Sequence, residues 1–389
     1  MSGRDVFCQP RRIGRGAALT LVFASVLVAG AATGSLPEAD RKATQDRAGS
    51  AVPAGRQEKV ADAAAEAMAA GKSPVEAAER AVSRSGDRWG AVYSPGEYEE
   101  FEEALDGRYT GVGLWARRER GGRIEVTKVR TGSPAAVAGI RAGDRLRSVD
   151  GRKVDGRPVT EVVSLLRGDA TDAAAGTAVT LGLERGTRAW DETVRRARLS
   201  TDSVTVRELA GGITVIRIDS FTKGSGDAVR TAVRQAPAAS GVILDLRGNS
   251  GGLVTEAVTA ASAFLDGGLV ATYDVDGAQQ ALHADLGGDT TRPLVALVDG
   301  GTMSAAELLT GALQDRGRAV VVGSRTFGKG SVQMPSRLPD GSVAELTVGH
   351  YRTPSGRGVD GTGITPDLDA DQRMIERAET VLGGLGPPS

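Results

Sequence analysis

Cysteine occurs once in the 389 residues, at Cys8, and histidine only at His283 and His350. A single cysteine excludes an intrachain disulfide and any multi-cysteine metal site. The histidines lie 67 residues apart with no acidic partner at ligand spacing, so a zinc enzyme is excluded too. Aromatic residues make up 4% of the chain, and its cores must be built from Val, Leu, Ile and Ala. An excess of charge is also missing: 48 Lys and Arg stand against 49 Asp and Glu, a net of −1. Such a balance leaves no electrostatic footprint for nucleic acid, which is not an expected partner.

Long apolar runs are absent except near the start. Arg4, Arg11, Arg12 and Arg15 precede an uncharged stretch over 17–32 that carries the small residues Ala29-Gly30-Ala31. A positive flank, a short apolar region and a small-residue site mark residues 1–33 as an export signal. The run is short for a spanning helix, which needs roughly 20 residues, so an uncleaved anchor is the second reading. The expected location is extracytoplasmic, either secreted or anchored to the plasma membrane by this segment. Membrane contact is expected there alone.

Residues 34–56 are polar, rich in Ala, Gly and Ser, and without period, and read as a tether. A small helical N-terminal region follows over 57–105. Its first helix stops at Gly71. Ser73-Pro74 with Glu76, and Ser94-Pro95 with Glu97, then supply an N-cap, a first-turn proline and an early acid for two more. Over 106–202 the texture changes to short β runs with glycine turns. Strands are expected at 124–129 and 178–184, short helices after Ser133-Pro134 and over 159–166, and a tight turn at Asp150-Gly151. Gly111-Val112-Gly113-Leu114, Gly132-Ser133-Pro134-Ala135, Ala138-Gly139-Ile140, Gly143-Asp144 and Val149-Asp150-Gly151 occur in order, and together they resemble a PDZ domain of the bacterial protease type. In such a module the glycine loop 111–114 offers backbone N–H groups to a chain-terminal carboxylate, and a strand edge takes the preceding residues. The alanine-rich stretch 169–176 is longer than the family's tight loop.

From 203 to 370 the pattern is α/β. Val/Ile/Leu-rich strands are expected at 213–218, 242–246, 294–298 and 319–322, and helices at 226–235, 254–264 and 304–314. Residues 371–389 form a C-terminal tail, loose from Gly383 onward. Two stretches carry candidate chemistry: Asp299-Gly300-Gly301-Thr302-Met303-Ser304-Ala305-Ala306-Glu307, and Thr326-Phe327-Gly328-Lys329-Gly330-Ser331-Val332-Gln333. Ser304 follows a strand and a glycine turn at a helix start, where amides point at whatever binds. With Glu307 three residues on, it equally reads as a capping box. A serine nucleophile needs a base, and a lysine serves once burial makes it neutral. Lys329 sits between glycines that let another chain pass close, and Gln333, four residues on along a strand, is placed to orient it.

Lys329 follows Ser304 by 25 residues and Gln333 follows it by 29. With these spacings, and with Asp245-Leu246-Arg247-Gly248-Asn249-Ser250-Gly251-Gly252 and Gly363-Ile364-Thr365-Pro366-Asp367, the chain resembles the carboxy-terminal processing peptidases, or tail-specific proteases. The resemblance spans roughly 57–368. It implies a multidomain α/β and α+β protein: a helical N-terminal region, a β-rich PDZ domain and an α/β catalytic core of the Clp protease/crotonase type. It implies a serine endopeptidase acting on exported polypeptides recognised by their C-termini. Ser304 would be the nucleophile, Lys329 the general base and Gln333 the lysine's partner. The oxyanion hole would fall on the N–H of Ala305 and of Gly251 or Gly252. Arg167 matches an arginine that relays PDZ occupancy, and equally reads as a cation at a helix C-terminus. No metal or cofactor is implied, His350 reads as structural, and a homo-oligomer or activating partner is compatible. A catalytically silent PDZ-bearing peptide-binding protein is the rival reading. A crotonase-like acyl-transforming enzyme is disfavoured by the export signal.

Overall fold

Runs that are apolar at every position, such as 242–244 and Leu294–Val298, belong in a sheet buried on both faces. In the computed structural model, which describes residues 54–119, 121–168, 175–237, 241–275 and 278–385, they lie at the centre of one. The expected export signal, most of the tether and most of the 169–176 stretch lie outside the described residues. The chain divides into two units, one comprising 108–200 and the other the remaining described residues.

The larger unit is built on a six-stranded sheet. Its order is Val204–Glu208, Thr214–Ile218, Val242–Asp245, Leu294–Val298, Val320–Gly323, Leu368–Asp369, parallel except at the first edge. Alternate side chains serve opposite faces. Ile216, Leu244 and Ala296 pack with the helices Ser225–Gln235, Val254–Ala261 and Ala305–Asp315. Val215, Ile243 and Val295 pack with Ala378 and Leu382 of the helix Met374–Leu385. That last helix runs through Gly383 and Gly384 to Leu385, where a loose tail was expected from Gly383; Ala378 and Leu382 bury the apolar surface that holds it, and 386–389 lie outside the described residues.

A second sheet was not visible in the sequence. The strand Val343–Arg352 lies between Ala91–Tyr93 and Leu269–Val275, and also pairs with Ser331–Arg337. The helices Ala54–Ala69 and Pro74–Arg84 cover part of it, Val60, Ala64, Ala78 and Val82 meeting Leu338, Ala344 and Leu346. The first of these helices takes in the last residues assigned to the tether. Ser73 and Ser94 cap their helices as expected, the second through a full capping box with Glu97.

The smaller unit is a sheet in the order Leu114–Arg118, Ile124–Val129, Arg145–Val149, Ala178–Arg185, Arg188–Arg195, with helices Pro134–Val137 and Val159–Arg167. Leu114–Arg118 is an edge strand, and the helix Val159–Arg167 packs beside it. Ile124, Val126, Leu146, Leu181 and Leu183 form its core. Buried Arg196 caps the C-terminus of Val159–Arg167, donating to the carbonyls of Leu166 (3.0 Å) and Leu165 (3.2 Å).

Candidate active site

The carboxyl ends of parallel strands are where α/β folds place their ligands. The segments 245–252 and 299–304 leave two adjacent strands there and are fastened to each other. Asp299 accepts the N–H groups of Gly248 (2.8 Å) and Gly301 (2.9 Å), and Met303 donates its N–H to the Asn249 carbonyl (2.8 Å). Upstream, Arg247 forks onto Asp245 through Nε (2.8 Å) and Nη2 (2.7 Å).

Ser304 emerges from this clamp fully buried, at φ 59° and ψ −117°. A non-glycine residue in such a conformation costs roughly 1–3 kcal/mol and marks functional sites more often than caps. The expected capping acid does more than cap. Glu307 accepts the N–H of Ser304 (2.9 Å), of Lys329 (2.8 Å) and of Gly328 (2.7 Å), and the Thr326 hydroxyl. Burial still holds it above the usual carboxylate range against these four donors. Tyr351 makes the second tie, its hydroxyl lying 3.0 Å from the Ser304 carbonyl and 3.1 Å from that of Lys329. One carboxylate and one phenol therefore bind the backbones of the two candidate residues together. Glu307 was read from sequence as a cap, and Tyr351 was not singled out.

Lys329 is fully buried, and its Nζ has no hydrogen-bond partner among the described residues. Burial is the largest influence on it and lowers its pKa to about 8, against the pull of Glu345, Asp87, Asp360 and Glu307. Gly330 permits the close chain passage inferred from sequence: a Cβ there would stand 2.5 Å from the Asp360 nitrogen. The ammonium lies 5.3 Å from the Trp89 ring centroid, and Trp89 packs on Phe327. Trp89 and Asp87 belong to the helical N-terminal region, which sequence patterning gave no reason to place here.

The strand geometry expected for Gln333 does not hold. The strand Ser331–Arg337 begins after Lys329, so the two do not share its alternation; its register with the strand Val343–Arg352 slips between Val332 and Gln333, where Val348 is the extra residue. Gln333 is buried and donates Nε2 to the hydroxyls of Ser331 (2.7 Å) and Thr347 (3.2 Å). Among the described residues its Oε1 has no partner, and no hydrogen bond joins it to Lys329. Gly251 packs directly on the serine, where a Cβ would stand 3.0 Å from that of Ser304. Its N–H is taken by Asn249 Oδ1 (2.8 Å), whereas no acceptor takes the N–H of Gly252 among the described residues. The Ala305 N–H is one of the first-turn amides that a helix leaves unused. His350 is exposed, 3.7 Å from Asp360, and His283 is exposed on the strand Ala278–His283.

In the smaller unit, Gly111 ends the strand Arg108–Gly111 and Leu114 begins the next, so only Val112 and Gly113 turn. The Val112 carbonyl accepts the Ala135 N–H (2.9 Å), and the Gly113 carbonyl accepts that of Arg130 (2.9 Å). A trans peptide points its N–H opposite to its carbonyl, so the Gly113 and Leu114 amides face away from these bonds. Arg167 lies over the Tyr109 ring at 5.8 Å.

Residues 212–370 match the profile of Peptidase family S41, and residues 125–185 that of the PDZ domain. The chain is 35% identical over 318 residues to carboxyl-terminal-processing peptidase 3, chloroplastic, of Arabidopsis thaliana, across 76% of this chain and 60% of that protein. It is 34% identical over 276 residues to carboxy-terminal processing protease CtpA of Bacillus subtilis (strain 168), across 70% of this chain and 58% of that one. The chain thus spans about six-tenths of the length of these relatives. Among solved structures, the photosystem II D1 C-terminal processing protease aligns with a TM-score of 0.51 and 26% identity, over 84% of this chain and 97% of that one.

Proposed function

The chain belongs to peptidase family S41, among the carboxy-terminal processing proteases, and from that membership we propose that it is a tail-directed serine endopeptidase with a Ser304–Lys329 dyad. One observation carries the reading. A fully buried lysine without a hydrogen-bond partner is tied through its backbone to a serine held in a strained conformation at a helix start.

In the neutral form that burial favours, Lys329 Nζ accepts the hydroxyl proton as Ser304 Oγ attacks the scissile carbonyl. The developing oxyanion is received by the N–H of Ala305 and, since Gly251 is engaged, of Gly252. Lys329 returns the proton to the leaving amine as the C–N bond breaks, then takes one from the water that hydrolyses the acyl-enzyme. Gln333 Oε1, an unfilled acceptor, is the partner assigned to the lysine. The reading includes export, with the protein acting outside the cytoplasm after secretion or at the plasma membrane through its N-terminal segment. Fractionation of cells producing the full chain tests that part.

The substrate is captured by its tail. The outward amides of Gly113 and Leu114 receive the terminal carboxylate, and the edge strand Leu114–Arg118 pairs with the residues before it. An unfolded polypeptide with a free C-terminal carboxylate is therefore expected to be cut faster than its amidated twin. Charge-assisted hydrogen bonds are worth roughly 1.5–3 kcal/mol, so the gap at subsaturating substrate is about tenfold or more. Arg167→Ala should narrow the gap if that arginine relays occupancy, leaving a basal rate. Mass spectrometry of the products over time measures both; equal cleavage of the twins would remove tail recognition, and no cleavage of either would favour a silent peptide-binding protein.

A further inference from the structure

Four carboxylates act on Lys329, from four different elements: Asp87 before Trp89, Glu307 on the helix Ala305–Asp315, Glu345 on the strand Val343–Arg352, and Asp360 in the segment beside Gly330. Three of them are already engaged. Asp87 accepts the Thr347 N–H (2.8 Å) and hydroxyl (2.7 Å), the Trp89 and Gly90 amides, and lies 3.6 Å from Arg56. Glu307 has its four donors, and Asp360 has the Gly330 N–H (3.1 Å) and His350. Glu345 has none. It is fully buried, and neither carboxylate oxygen has a hydrogen-bond partner among the described residues.

The register puts this acid on the lysine's side of the sheet. Glu345 and Thr347 lie two apart on one strand and so share a face, and Thr347 sits opposite Gln333 and hydrogen-bonds to it. Three buried groups there are thus without partners: the Lys329 ammonium, the Gln333 carbonyl oxygen and the Glu345 carboxylate. One can only donate when charged and the other two accept. A buried carboxylate with no donor is costly, and a second charge of opposite sign nearby is what moderates that cost.

We propose that Glu345 is a positioning residue for the base: its carboxylate is the counter-charge that decides how readily Lys329 gives up its proton. It does not touch substrate. The inference rests on the Ser304–Lys329 reading above. Burial raises Glu345 to about 7 and the lysine pulls it down, while Glu345 leads the charges that push Lys329 up. The other groups facing Glu345 are the phenols of Tyr93 and Tyr98, neutral in this range because burial raises both. The sign follows. As pH rises, Glu345 ionises first, and its negative charge then favours the ammonium and delays the free base. Removing the charge lets Lys329 reach its basic form at lower pH.

The test compares pH profiles of kcat/KM for wild type, Glu345→Gln and Glu345→Leu, with the lysine titrated directly by NMR in protein carrying Ser304→Ala. A nearby charge moves a pKa by one or more units at close range, and with no hydrogen bond between the pair a smaller move of at least about half a unit is expected. The acid limb and the Lys329 titration should both move down by that amount in either variant, about a threefold gain in rate on the limb. A merely structural role for Glu345 would change thermal stability or KM and leave both where they were. An unmoved limb in a folded variant, with Lys329→Ala inactive, overturns the role of Glu345 and spares the dyad. An active Lys329→Ala overturns both. If neither uncharged variant folds, NMR titration of the Glu345 carboxyl in Lys329→Met protein decides: loss of the ammonium must move that titration up, and an unmoved one overturns the role.

Discussion

Ser304→Ala is expected to lower kcat for an unfolded polypeptide by roughly four to six orders of magnitude, the scale on which losing a covalent nucleophile is felt. The fold should survive, because contacts of its backbone and Cβ hold the residue in place whichever side chain it carries. Its N–H is given to Glu307, its carbonyl meets Tyr351, and Gly251 presses on its Cβ. Alanine keeps all three. It also keeps the strained backbone, so the variant gains no stability from relief at that position. Were Ser304 only a helix cap, the same change would cost about 0.5–2 kcal/mol and leave turnover nearly intact. Single-turnover kinetics beside a melting curve separate the outcomes; a folded alanine variant with normal turnover would end the dyad mechanism.

Lys329→Arg should be as inactive as Lys329→Ala, a loss of several orders of magnitude despite the retained charge. A guanidinium stays protonated and cannot accept the serine proton. It is also bulkier and must be desolvated in a space whose walls are Trp89, Glu345 and the Gly330 backbone. In wild type the rate should climb with pH through about 8, since below that value the ammonium predominates and has no lone pair to offer. His283→Gln and His350→Gln, alone or together, should leave the limb in place. A limb near 6.5 that vanishes with either histidine would assign the base elsewhere.

Much of this architecture was legible because burial on both faces leaves continuous apolar runs, as in 242–244 and Leu294–Val298. Helix starts at Ser73, Ser94 and Ser133 were legible for the same local reason, a side-chain oxygen before a proline. The strand Val343–Arg352 was not. It is buried on both faces over 343–349, yet one face carries Glu345 and Thr347, so the continuous apolar run that marks such a strand is broken. Gln333 was found by spacing, but Lys329 lies before the strand begins, which defeats any inference of their shared direction from parity. Ser304, Lys329 and Gly251 stand in local motifs and were picked out. Tyr351, Asp87 and Trp89 were missed, because what each does depends on a partner far away in the chain.

That distance has a consequence in time. Asp87 holds Thr347 across 260 residues, and Ala91 pairs with Glu345. A chain that ends at residue 342, carrying Ser304 and Lys329 but not 343–352, has no inner wall to dry the lysine. Its amine then sits in water near the ordinary value of about 10.4 and stays protonated. Released chains that end at residue 342 should accordingly resist labelling by a serine-directed phosphonate that phosphonylates the whole protein, and labelling of the truncated chains would refute this. The contacts that leave the lysine without its proton thus postpone the proposed activity until 343–352 has joined the sheet, sparing the chain and its neighbours from premature cutting.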